Sequence, residues 1–296
     1  MDKNPTVPKI KIIIKPKKVA MHVQVPKYGH FCESKSKKTI TITYGECAEN
    51  HVGMQQIGTK GKHGLTLEEL KVADEYFQAL GYETELIMLA EQGLTDIDDK
   101  TLITKEIQDA CILVVRKGVE ALTNENTTID DLYKEQSKLD HDTRAKMYGR
   151  IVNKKARYNL CFDDEEQEPD YETGKGRVIS FKSVPITDMI RNTIAELFPD
   201  NASVKTLKAE GNYYFNTQCG IGYHGDAERK VVIAARLGDS MPLQYCWYYW
   251  GSRMGTPIKL VLNHGDMYFM SDKATGSDWK TKKKLTLRHA AGEKFI

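Results

Sequence analysis

A chain of 296 residues, 40% hydrophobic and 28% charged, is long enough to bury one large core or two ordinary ones, and its composition excludes a disordered or fibrous class. No apolar run approaches the roughly 18 residues that span a bilayer, and no signal peptide is expected, because no h-region of about 7–15 apolar residues follows the N-terminus. The net charge of +2 hides an asymmetry: residues 1–40 hold ten lysines against Asp2 and Glu33, so the remainder is net acidic.

Prolines 5, 8, 16 and 26 among those lysines predict a basic extended arm over residues 1–38, with an edge strand at Ile10–Ile14. Such an arm can bind nucleic acid or an acidic partner by counterion release, or serve as a solvated tail. The β-branched alternation of TITITY (39–44) predicts a strand. A glycine-rich loop follows at 45–64, with Glu46, Glu49, Asn50, His51 and Gln55 close together. A polar cluster on a loop after a strand is either a site or a surface that packs on a neighbouring domain.

Thr66 and Glu69 have capping-box spacing and open a helix with Leu67, Leu70, Ala73, Phe77 and Leu80 on one face; Gly81 ends it. Strands are predicted at 83–89 and 110–118, completing a small α/β domain at 39–122. Residues 123–139 read as a polar linker with a helical stretch. Beyond it the chain turns β-rich, with one clear helix at 185–198 that starts at Pro185. The sum is an α+β chain. The six cysteines (32, 47, 111, 161, 219, 246) lack metal-binding spacing and read as reduced intracellular thiols, in cytoplasm or nucleus.

The chemistry starts at YHGDAE (223–228). His224 and Asp226, at i and i+2 at a strand end, can reach one cation. The triplet alone does not decide, because His264-Gly265-Asp266 repeats it 40 residues later. The surroundings differ. Asn212 and Tyr214 precede His224 by twelve and ten residues, and an apolar strand (231–238), an aromatic strand (245–250), HGDMYFM (264–270) and KKKLTLRHAAG (282–292) follow.

This order resembles the AlkB family of oxygenases: Asn-x-Tyr, His-x-Asp, a strand, a Gly-Asp turn, then Arg-x5-Arg. MYGR (147–150) and the helix at 185–198 extend the resemblance upstream, over residues 140–296. It implies a double-stranded β-helix, or jelly roll, that uses Fe(II) and 2-oxoglutarate for oxidative demethylation or hydroxylation of nucleic acid. It makes His224 and Asp226 iron ligands. Arg288 becomes the arginine for the distal carboxylate of 2-oxoglutarate, and Asn212 and Tyr214 become hydrogen-bonding partners of that cosubstrate. Lys282 stands where the family has its first arginine. Tyr245, Trp247, Tyr248 and Trp250 offer faces for bases or pack in a core. The whole chain also resembles proteins of large DNA viruses, which adds a virion or an infected cell to the expected locations.

One departure stands out. The position of the family's third ligand falls on Trp279 and Lys280, and no histidine lies between 265 and 288. His289, beside Arg288 on a strand, is expected on the opposite face from that arginine. Asp278, His289 or a lysine amine could substitute. Otherwise the loop follows a path out of register with the family's, or the chain is a catalytically degenerate oxygenase fold with a binding or structural role.

Overall fold

The computed structural model describes residues 37–97 and 99–296, so the expected arm, including its strand at 10–14, falls almost wholly outside the described residues. Strands β1 (Thr39–Gly45), β2 (Cys47–Glu49) and β3 (Gln56–Gly58) precede helix α1 (Leu67–Ala79). Then come β4 (Thr84–Met88), α2 (Leu89–Gly93), α3 (Lys105–Gln108), β5 (Cys111–Val115), α4 (Gly118–Ala121) and α5 (Ile129–Ser137). The hairpin β6 (Arg144–Met147) and β7 (Arg150–Asn153) leads to β8 (Tyr158–Asp163), β9 (Val178–Ser180) and α6 (Pro185–Leu197). The chain closes with β10 (Lys208–Tyr214), β11 (Ile221–His224), β12 (Val232–Gly238), β13 (Met241–Tyr249), β14 (Ser252–Leu262), β15 (Met267–Met270) and β16 (Thr286–Ala291).

Local signals account for the helices. Thr66 accepts from the Glu69 N–H while the Glu69 carboxylate accepts from the Thr66 N–H, so the predicted capping box is formed. Gly81, which ends α1, has a φ of +86°. The linker's helical stretch is α5, with its own capping box from Thr128 and Asp131. Pro185 sits in the first turn of α6, where its missing N–H costs nothing.

Among the described residues, one sheet has eight strands in the order β4-β5-β15-β12-β1-β10-β8-β9, and a second has four in the order β11-β16-β13-β14. From β10 onward the chain alternates between the two sheets, except for the β13–β14 hairpin. The place between β10 and β12 is filled by β1, antiparallel to both. The division expected at 123–139 therefore does not cut the sheet. Strand β1 lies inside the later strands, and β4 and β5 extend the same sheet beyond β15.

Alternation along the strands makes three layers. Ile40, Ile42 and Tyr44 of β1, with Ile233 and Ala235 of β12, meet Phe77 of α1 and Ile190 and Ile194 of α6 in one apolar cluster. Each such large side chain taken out of water contributes about 1.5–3 kcal/mol. Val232 and Ala234 face the other way and meet Leu243, Tyr245 and Trp247 of the smaller sheet. On β1 that inward face carries Thr39, Thr41 and Thr43, so part of the space between the sheets is polar and not packed shut.

Candidate metal centre

That space is a cavity of about 480 Å³. His224 ends β11, and antiparallel pairing places it directly opposite His289 on β16, ring centroids 4.5 Å apart. Asp226 Oδ1 lies 3.6 Å from His224 Nε2 and 3.8 Å from His289 Nε2. One ligand atom from each of the three lies within 4.8 Å of the others.

The surroundings prepare these atoms. His224 Nδ1 lies 2.8 Å from the Gly222 carbonyl and 3.1 Å from that of His289. A proton there is hydrogen-bonded, which leaves the Nε2 lone pair free to bind. Burial lowers the pKa of both histidines, most strongly for His289, and neutral imidazole is the form that binds metal. Burial also pushes the Asp226 carboxyl up to about 7, against the opposing charge of Arg229. A cation between the three would favour the carboxylate.

The turn after the motif is held rigidly. Arg229 reaches Glu210 at 2.8 Å and Glu228 at 2.7 Å, with its Nε 3.8 Å from Asp226. Glu46 accepts from the backbone N–H groups of Lys230, Val231 and Gly61. Gly225 has no substitute: a Cβ there would lie 2.1 Å from the Gly276 carbonyl oxygen. The crossing segment also accepts from the Asp226 N–H through Thr275 O, at 2.9 Å.

Other residues expected at the site are divided. Asn212 and Tyr214 line the cavity, Asn212 Oδ1 accepting from Arg157 Nε. Lys282 is exposed on the loop before β16. Arg288 is not among the cavity-lining residues; its guanidinium stacks 3.9 Å over the Tyr248 ring and 5.1 Å over that of Trp279. Trp279 and Lys280 line the mouth, and Asp278 is occupied with Lys273 and Lys284, each at 2.8 Å. From the polar loop, Glu49 and His51 reach the cavity, whereas Asn50 is buried against Asp142 at 2.6 Å. The second motif is structural: His264 Nδ1 accepts from the Gly238 N–H, and Asp266 pairs with Arg116 at 2.7 Å. Tyr245, Trp247 and Tyr248 are buried and cannot stack on bases; Trp250 is exposed.

Arg236 is the residue the sequence reading passed over. It lies on β12 beside Thr41 of β1, which in turn pairs with Asn212 of β10, so the three form one row across the cavity face. It is 1% exposed and makes no ion pair among the described residues; its Nε and Nη1, and the Thr41 hydroxyl, are buried without a hydrogen-bond partner. An arginine inside VVIAARLG, an otherwise apolar central strand, was the readable signal.

No family model matches the chain. It is 45% identical, over 262 residues, to "Uncharacterized protein R156" of Acanthamoeba polyphaga mimivirus, a match covering 88% of this chain and 98% of the viral protein. The chain belongs to the family of that viral protein. Family membership by itself assigns no chemistry. No helix among the described residues is long and apolar enough to cross a membrane.

Proposed function

We propose that the chain is an Fe(II)/2-oxoglutarate-dependent dioxygenase of the AlkB type that hydroxylates or oxidatively demethylates nucleic acid. The convergence of His224, Asp226 and His289 carries this reading. Two neutral imidazoles and one carboxylate around a point, open on the cavity side, are the donor set of non-haem iron(II) oxygenases. The alternation of β10–β16 between two facing sheets supports a jelly roll, with β1 completing the larger sheet.

The residues present fit the two groups this chemistry requires. Bound iron and 2-oxoglutarate would supply oxidation by dioxygen, with succinate and carbon dioxide as coproducts. We assign the cosubstrate carboxylate to Arg236 in place of Arg288. A buried guanidinium with unpartnered N–H groups, next to an unpartnered hydroxyl, has a strong electrostatic demand for an anion. Asn212 and Tyr214 share the cavity wall and keep their hydrogen-bonding role. Arg229 holds the Asp226 carboxylate in place, and burial between the sheets limits water at the reacting side. The nucleic-acid substrate rests on the family resemblance and on the lysine-rich leader.

The degenerate-fold alternative rests on an absent third ligand, and the place of His289 beside His224 and Asp226 speaks against it. Adding Fe(II) and 2-oxoglutarate anaerobically tests the reading. The wild type should develop the visible metal-to-ligand charge-transfer band and His289→Ala should not. A wild type that binds neither group overturns the proposal.

A further inference from the structure

We propose that the outer face of the smaller sheet is a docking surface for single-stranded nucleic acid, separate from the metal cavity. None of its four strands (IGYH, MPLQYCWYY, SRMGTPIKLVL and TLRHAA) contains an aspartate or glutamate. The inward positions fill the core and the cavity, so the charge lies outside, on Arg253, Lys259 and Arg288. None of these three makes an ion pair among the described residues, and Gln244 is paired across the strands with Lys259.

Cations and rings alternate across the face. Arg253 lies 4.7 Å over Tyr223; the Tyr223 and Tyr248 rings are 6.1 Å apart; Arg288 stacks between Tyr248 and Trp279. Stacking holds the guanidinium groups in fixed positions at little entropic cost on binding. At the β13–β14 turn, Trp250 is 54% exposed and its backbone N–H donates to the Lys282 carbonyl at 3.1 Å. That contact brings the KTKKK segment (280–284) alongside; Lys284 pairs with Asp278 and Glu106, and among the described residues Lys280, Lys282 and Lys283 make no ion pair. Trp279 and Lys280 also line the cavity, so the surface reaches its mouth.

Charge selects the occupant. A second copy meeting this face with its own would present the same cations, and the lysine-rich leader would be repelled likewise. A polyanion is required. An exposed tryptophan among the cations favours one that carries flat bases.

The test is fluorescence anisotropy of a short labelled oligothymidylate with the metal-free full chain over a range of salt, so the oxygenase reading does not enter. The leader is common to every variant. Arg253→Ala with Lys259→Ala should weaken binding and lower the salt slope by about one to two. The same charge loss at the β6–β7 hairpin and the bend after it, Arg150→Ala with Lys155→Ala, should weaken it less. Trp250→Ala should cost about fivefold or more with the oligonucleotide and nothing with heparin, and Trp250→Tyr should recover most of the loss. These side chains are exposed, and circular dichroism verifies that each variant folds. Equal losses for the face and hairpin pairs, or a Trp250→Ala without effect on the oligonucleotide, overturn the proposal. So does equal weakening of heparin by Trp250→Ala, which would point to an acidic protein as partner.

Discussion

Arg288 and His289 are neighbours on β16 that face opposite sides of the smaller sheet. His289 Nε2 lies 3.8 Å from Asp226 inside the cavity, whereas the Arg288 guanidinium stacks 3.9 Å over Tyr248 outside it. Strand alternation predicts that the two diverge, and they do. What the sequence order suggested was the reverse assignment, with the arginine inside and the histidine out.

His289→Ala is therefore expected to damage metal binding as severely as His224→Ala. Groups that merely support a ligand are worth roughly 10–100-fold in affinity, so loss of a direct ligand should exceed that. Calorimetric titration of Fe(II) under anaerobic conditions measures it. Retained affinity in His289→Ala would place the third ligand elsewhere.

For the cosubstrate, Arg236→Met should weaken 2-oxoglutarate binding by at least about tenfold, while Lys282→Ala and Arg288→Ala should change it by less than about twofold. Lysine at 236 should not rescue it, because one mobile ammonium does not reproduce a planar pair of N–H donors. Removing a buried charge that lacks a protein partner should also leave the ligand-free protein at least as stable. A Tm that holds or rises together with a lost cosubstrate signal would separate a binding arginine from a structural one.

The capping box at Thr66 and the glycine at 81 were legible because each acts within a few residues of itself. The site was half legible for the same reason: His224 and Asp226 are two residues apart. His289 and Arg236 are set by pairings between distant strands. His224 meets His289 across 65 residues, and Arg236 joins Asn212 only because β1 lies between their strands. No local periodicity records that a segment near residue 40 completes a sheet built from residues beyond 200. This is why residues 39–122 read as a separate domain.

Gly225→Ala should abolish metal binding although it touches no ligand atom. The added methyl would lie 2.1 Å from the Gly276 carbonyl, so the crossing segment or the His224–Asp226 backbone must move. Overpacking of this kind costs about 1–3 kcal/mol. A lowered Tm accompanied by lost Fe(II) affinity is the expected pair of results; normal metal binding would mean that the loop yields freely.

The last prediction concerns Glu49 at the cavity mouth. Burial lifts its carboxyl from 4.5 to about 7, against a 3.0 Å hydrogen bond from the Gly53 N–H that favours the charged form. Between those two values the folded chain binds more protons at this position than the unfolded chain does. The contribution of Glu49 to stability is therefore full below about 4.5 and is lost as pH rises towards 7. Other buried acids add their own slopes, Asp226 in the same direction, so the wild-type curve alone does not isolate Glu49. The comparison does: Glu49→Gln keeps the shape and hydrogen-bonding oxygen but cannot ionise. Measured by Tm in metal-free buffer, the variant should gain on the wild type from about pH 4.5 to pH 7 and level off above that. Parallel curves would mean that water reaches Glu49 freely and that its side chain is solvated at the mouth, with no share in closing the cavity.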